Sequence, residues 1–186
     1  MKLKNLLFLS AMKKQVKIYG VPFTAGWLIS LGNEVVEKLE EERFENIREF
    51  QSETLKGKTN FCKYEGAPVV ENNIFYLRKC PFEENGSNSH KEFEPFLDII
   101  KKVTKYHNDS GGFSASPFCI YHQSWRDALA KKTKIGTKSL EIKQLACRFG
   151  ITGDVHLASK NIESLGLDPK KIEAALQDYV CAYHVS

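Results

Sequence analysis

Two kinds of apolar periodicity divide the chain, and they constrain its fold more than any other feature. Apolar residues recur at helical spacing over 28–50 and again over 93–103. Two β-prone runs instead flank Asn72-Asn73, a dipeptide typical of a hairpin turn. Helical and strand patterns thus occupy separate segments. We predict an α+β fold, a single globular domain over 1–186, in which a small antiparallel sheet packs against several amphipathic helices.

The remaining elements are predicted from residues that begin or end regular structure. They are a short strand over 15–19, a helix over 117–131, a strand within 139–149, and helices that begin at 154 and 168. The second of these last helices includes the C-terminal Cys181 and His184. The clearest loop is 84–90, which is rich in Asn, Gly and Ser.

The first twelve residues resemble an export signal only in part. Lysines precede the apolar run 6–9, but this run is short and no small-residue cleavage site follows it. We expect residues 1–12 to be a buried first segment, or else a non-native or peripheral extension with Met12 as the true start. No apolar run approaches the ~20 residues of a membrane-spanning helix. With five cysteines, an odd number, we expect a cytoplasmic protein with reduced thiols.

The net charge of +4 is small enough to arise from surface lysines. The densest basic run, 131–138, lacks the interleaved aromatic residues of a base-stacking surface. We therefore expect no nucleic-acid partner, no membrane partner, and at most a small-molecule ligand.

A short repeat places cysteine and histidine three residues apart at two positions. Cys119-x-x-His122 and Cys181-x-x-His184 both fall in predicted helices, where positions i and i+3 share a face. Each pair would offer one sulfur and one nitrogen. Thiolates and imidazoles favour zinc or iron, so two such pairs predict a tetrahedral site for one of these metals.

A second arrangement uses sulfur alone. Cys80, Cys119, Cys147 and Cys181 each lie near the end of a predicted element, and proline follows Cys80 as it often does beside iron-sulfur clusters. Cys62, His122 and His184 would be alternative ligands. Our leading hypothesis is a metal-binding protein that holds an iron-sulfur cluster or zinc at these cysteines, for sensing, redox chemistry or catalysis, although free cysteines also occur as plain core residues.

Two further hypotheses do not involve a metal. In one, Cys119 is a nucleophile in the first turn of its helix, with His122 close by and Arg126 on the same face to hold a carboxylate or phosphate. In the other, the chain is a small-molecule sensor with an apolar pocket. That pocket would be lined by aromatic side chains: Phe75, Phe96, Phe118 or Trp125.

Overall fold

A computed structural model describes residues 3–78, 93–148 and 155–186 and confirms the α+β class. Its α-helices are α1 (Leu3–Glu37), α2 (Ile47–Leu55), α3 (Asn60–Glu65), α4 (Leu97–Asp109), α5 (Pro117–Lys132), α6 (Ser159–Ser164) and α7 (Pro169–Ala175), with a 3₁₀ turn, Glu94–Phe96, before α4. Its strands are β1 (Glu42–Phe44), β2 (Val69–Glu71), β3 (Ile74–Leu77), β4 (Thr133–Ile135), β5 (Lys138–Ser139), β6 (Ile142–Arg148), β7 (Val155–Leu157) and β8 (Cys181–Val185).

The strands of the described residues form two sheets. The larger is antiparallel in the order β2-β3-β8-β6-β7, so the C-terminal strand β8 lies at its centre. The smaller has the order β1-β4-β5, with β1 parallel to β4. The hairpin predicted around Asn72-Asn73 is confirmed as β2-β3, because both asparagines adopt the positive φ of a tight turn, 49° and 65°.

Helix α5 is buried on two sides because it lies between other helices and the large sheet. Phe118 and Ile120 pack into an apolar cluster with residues of α1 and α4. Cys119, Trp125 and Leu129 pack into a second cluster with the sheet. A helix with apolar residues all round is expected in such an interior position. A third cluster covers the opposite face of the sheet with α6 and α7.

A β-bulge in β6 determines which side chains face α5. Gln144 pairs with Tyr183 and Cys147 pairs with Cys181, so one extra residue, Leu145, lies between two pairs that are two residues apart on β8. Without the bulge, Gln144 and Cys147 would point to opposite faces, since side chains alternate along a strand. The bulge therefore places both on the α5 side of the sheet.

The strand predicted over 15–19 is wrong, because this segment belongs to α1. Leu9, Met12 and Val16 have the i, i+3, i+7 spacing of a helix, and all three pack in the cluster with α4 and α5. Gly20 bends α1 with a φ of 88° instead of ending a strand. Leu9 and Met12 are fully buried, so residues of the 1–12 segment contribute to the core.

The helix predicted from Asp168 is correct at its start and wrong at its end. Asp168 caps α7 through the backbone N–H of Lys170 at 2.9 Å, and the helix ends at Ala175. Residues 181–185 form β8, because Cys181 and alternate residues after it face the core. The helix start predicted at 154, the loop 84–90 and Cys80 lie outside the described residues.

Helix α5 confirms the prediction over 117–131, and β6 confirms the strand predicted within 139–149. In the described ranges, no helix is both long and apolar enough to cross a membrane.

Candidate active site

Three buried sulfur atoms lie together between α5 and the large sheet. Cys119 Sγ is 3.8 Å from Cys147 Sγ, which is itself 3.4 Å from Cys181 Sγ. Cys119 lies in the first turn of α5, and the other two are paired neighbours on β6 and β8. The fold therefore joins thiols from distant parts of the chain, with Cys147 in contact with both others.

The surroundings of Cys119 favour its thiolate. The hydrogen bond with Cys147 has the largest effect in lowering the pKa of Cys119, and burial opposes it. The Ser116 hydroxyl, 3.5 Å from the sulfur, a backbone contact at Ala115 and the charge of Arg126 lower it further, to about 5. The position of the sulfur at the start of a helix acts in the same direction.

The surroundings of Cys147, by contrast, favour its protonated thiol. Its hydrogen bonds with Cys119 and Cys181, together with burial, raise the pKa of Cys147 well above its ordinary value. Cys147 therefore remains a thiol at neutral pH and can donate its hydrogen to the Cys119 thiolate.

A buried ion cluster lies on the same face of α5. Glu65 Oε1 accepts a bond from Arg126 Nε at 2.9 Å and lies 3.1 Å from His122 Nδ1. Arg126 Nη1 donates to Gln144 Oε1 at 3.0 Å, and its guanidinium carbon is 4.1 Å from the centroid of the Tyr183 ring. Two nitrogens of Arg126 are thus occupied by protein acceptors. The guanidinium is therefore held in a fixed position.

Charges within this cluster compensate each other. Burial raises the pKa of Glu65, but Arg126 and His122 outweigh it and lower the pKa to about 2. Burial raises the pKa of Tyr183, so its hydroxyl stays neutral. The cluster therefore holds a carboxylate and a guanidinium at all ordinary pH values.

His107 is a residue of the site that the sequence did not indicate. Its Nδ1 is 3.1 Å from Ser114 Oγ, and Ser114 exchanges hydrogen bonds with the side chain of Asn108. Burial lowers the pKa of the imidazole, while a hydrogen bond with Asn108 and the charge of Cys119 raise it in part. A side chain at Gly112 would overlap the ring, so this glycine makes room for it. In the sequence, the Gly-Gly dipeptide after α4 is the feature that could have indicated this arrangement.

The described residues reproduce only part of the predicted metal sites. Cys119, Cys147 and Cys181 come together, whereas the Cys62 thiol donates to the Thr54 carbonyl at 2.8 Å. Because Cys80 lies outside the described residues, the four-cysteine site stays a prediction. In the part of the chain that the structure describes, no group of three or more His, Cys, Asp or Glu side chains is arranged to hold a metal ion.

The paired Cys-x-x-His arrangement does not form, because one pair lies on a strand. Cys181 faces α5, while His184 pairs with Ile74 on the opposite face of the sheet. On α5, by contrast, Cys119 and His122 keep the i, i+3 spacing that the sequence predicts. His122 Nδ1 is directed to Glu65.

The aromatic residues proposed to line a ligand pocket separate into two clusters. Phe75 and Trp125 pack between α5 and the sheet, and Phe96 and Phe118 pack between α5, α1 and α4. All four are almost completely buried. Binding of a small molecule at a shared aromatic surface therefore stays a prediction.

The chemistry open to this site follows from its residues. A thiolate at a helix start, a neighbouring thiol donor, a fixed cation and a half-buried imidazole are the groups that an activated cysteine nucleophile needs. The chain matches no known protein family, and neither a curated protein nor a solved structure is similar to it.

Proposed function

We propose that the chain is a cysteine-dependent enzyme in which the Cys119 thiolate attacks an electrophilic centre of a small substrate. The observation that carries this proposal is the position of Cys119 in the first turn of α5, within hydrogen-bond distance of Ser116 and Cys147. The thiolate is the reactive form of cysteine, and these contacts stabilise it.

The protonation state supports the same role. A pKa of about 5 leaves Cys119 almost entirely ionised at neutral pH. Arg126, which Glu65 holds in place, contributes a guanidinium charge that favours the Cys119 thiolate, and its raised pKa keeps it protonated. We regard Arg126 as a positioning residue, since it acts on the substrate through Cys119.

His107 is suited to proton transfer during breakdown of the covalent intermediate. Its lowered pKa makes it a neutral base at neutral pH, and its ring is held by Ser114. It is half-buried, so it can exchange protons with solvent. Gln144 Nε2 is buried without a hydrogen-bond partner among the described residues and offers a donor to a polar substrate group.

Site-resolved alkylation tests the proposal, with iodoacetamide as the electrophile. Limiting reagent at neutral pH is followed by peptide mass spectrometry, and Cys62 is the comparison within the same chain. Burial raises the pKa of Cys62, so we expect Cys119 to be modified first although it is only 8% exposed. Modification of Cys62 ahead of Cys119 would contradict the proposal.

Two matched variants complete this experiment. Cys119→Ser should abolish the fast alkylation phase, and Cys62→Ser should leave it unchanged. A fast phase that survives in Cys119→Ser would assign the reactive thiol to another residue.

Metal binding is the second candidate, and the sulfur separations favour it. Two thiolates bound to one tetrahedral ion at ~2.3 Å lie about 3.8 Å apart, close to the distances found around Cys147. Cys80 is the proposed fourth ligand. Metal analysis and an absorption spectrum of protein purified without oxygen test this function: iron with sulfide or one zinc would support it, and metal-free protein would contradict it.

A further inference from the structure

We propose that Cys119, Cys147 and Cys181 form a thiol relay that transfers oxidation by a hydroperoxide from Cys119 to a disulfide between Cys147 and Cys181. The inference rests on the proposed nucleophilic character of Cys119. It adds a second activity to the site, the reduction of a hydroperoxide at the expense of two thiols of the same chain.

The order of the thiols follows from their contacts. Cys147 is the sulfur that contacts both others, at 3.8 Å from Cys119 and 3.4 Å from Cys181. Each distance must shorten to ~2.0 Å for a disulfide, a movement within reach of side-chain rotation. Cys147 can therefore bond to either neighbour, but to one at a time.

The strand register makes the final disulfide geometrically acceptable. Arg148 N donates to Val180 O at 2.7 Å, which identifies this pair as a hydrogen-bonded one in the β6-β8 ladder. The adjacent pair, Cys147 and Cys181, is then a non-hydrogen-bonded pair. Cα atoms in such pairs lie ~4.5 Å apart, inside the range that a disulfide bridges.

Oxidation begins at Cys119. Its thiolate attacks one oxygen of the hydroperoxide, the O–O bond breaks, and the departing oxygen takes a proton to become an alcohol or water. The product is a sulfenic acid at Cys119. Cys147 then attacks this sulfur, and the sulfenic hydroxyl leaves with the Cys147 proton as water. A Cys119-Cys147 disulfide results.

The last step follows from the contact between Cys181 and Cys147. Cys181 attacks Cys147, which is the sulfur in contact with it, and expels Cys119 as a thiolate while the Cys181 proton passes to solvent. The departing Cys119 thiolate keeps the Ser116 hydroxyl at 3.5 Å and the charge of Arg126 to stabilise it. Cys119 is thereby returned to its reactive form, and the disulfide lies between two strands.

Hydrogen peroxide treatment of the reduced full-length chain tests the relay. Non-reducing peptide mapping of wild-type protein should find the Cys147-Cys181 disulfide, with Cys119 still open to alkylation. Cys181→Ser should stop at the Cys119-Cys147 disulfide, and Cys147→Ser should accumulate a sulfenic acid at Cys119 that dimedone traps. In Cys119→Ser, disulfide formation should slow by at least about tenfold, whereas Cys62→Ser should match wild type.

The outcomes separate this inference from the proposed function. If Cys119 is the first thiol alkylated but peroxide gives only its sulfenic or sulfinic acid, the relay is wrong and the nucleophile stands. If Cys119 is neither alkylated nor oxidised first, both fail. Equal rates of disulfide formation in wild type and Cys119→Ser also overturn the relay. The result on wild-type protein does not depend on any variant being folded. For each variant, near-ultraviolet circular dichroism verifies that the protein is folded.

Discussion

The buried carboxylate of Glu65 gives the sharpest stability prediction. Its side chain is 1% exposed and balances the charge of Arg126, with His122 on the same oxygen. Glu65→Gln keeps the size of the side chain and removes the charge. The guanidinium of Arg126 would then remain buried beside a neutral amide.

The expected loss can be worked out in two ways. The pKa of Glu65 falls from an ordinary value of 4.5 to about 2, and at ~1.4 kcal/mol per pKa unit this corresponds to about 3 kcal/mol of stability at neutral pH. Removing one partner of a buried ion pair costs about 3 to 5 kcal/mol in other proteins. We therefore expect Glu65→Gln to lower the free energy of unfolding by about 3 kcal/mol at pH 7.

The pH dependence has a defined sign. Because the folded pKa of Glu65 lies below the unfolded value, its contribution is fully present above 4.5 and is lost as the pH falls toward about 2. The difference between wild type and Glu65→Gln should therefore shrink as the pH falls through this interval. Urea unfolding followed by circular dichroism at a series of pH values measures it.

Glu53→Gln is the matched control. Glu53 forms exposed ion pairs with Lys56 and Lys58, at 2.7 Å and 3.6 Å, which solvent screens. Its replacement should change stability little. A loss below about 1 kcal/mol for Glu65→Gln at pH 7, or one that stays constant down to acidic pH, would refute the description of the cluster as a buried ion pair.

Two further predictions concern the contact between α1 and α5 and the start of α7. Gly32→Ala should lower the free energy of unfolding by about 1 to 3 kcal/mol in thermal unfolding, because a Cβ at Gly32 would lie 2.5 Å from the Tyr121 carbonyl oxygen where α1 meets α5. The control Gly26→Ala, where a Cβ would have nothing within 4 Å, should not destabilise the protein. Equal losses for the two variants would contradict the close contact at Gly32. Asp168→Ala should cost about 1 kcal/mol by removing the cap of α7, and unchanged stability to urea would show that the cap bond with Lys170 is not formed in solution.

Elements with strong local signals could be predicted from the sequence. Pro117 favours the start of α5 because its ring fixes φ near the helical value, and Asn72-Asn73 favour the β2-β3 turn because asparagine tolerates a positive φ. The 15–19 segment failed because its short alternation outweighed a helical pattern that begins upstream at Leu9.

The C-terminal strand failed for a different reason. Residues of β8 acquire their conformation from β3 and β6, which flank β8 in the sheet but lie far before it in the sequence. Cys181 and His184 fit a helix or a strand equally well as a local pattern. The strand conformation of β8 depends on its pairing partners, and a short apolar run in the sequence does not specify those partners.

The candidate site, too, could be predicted from the sequence only in part. Cys119, His122 and Arg126 share one face of a helix, so their association could be predicted from spacing alone. Glu65 and the bulge at Leu145 could not, since both matter only through tertiary contacts. These contacts bury Arg126, which the sequence predicts to hold the carboxylate or phosphate of a ligand.

Ionisation of Cys119 is the central claim, and the ultraviolet absorbance of its thiolate tests it most directly, without requiring access of a reagent to a buried sulfur. Titration of the reduced protein should show a thiolate that forms with a midpoint near pH 5, that is missing in Cys119→Ser and that persists in Cys62→Ser. No thiolate absorbance until the pH approaches the ordinary cysteine value of about 8.5 would contradict the account.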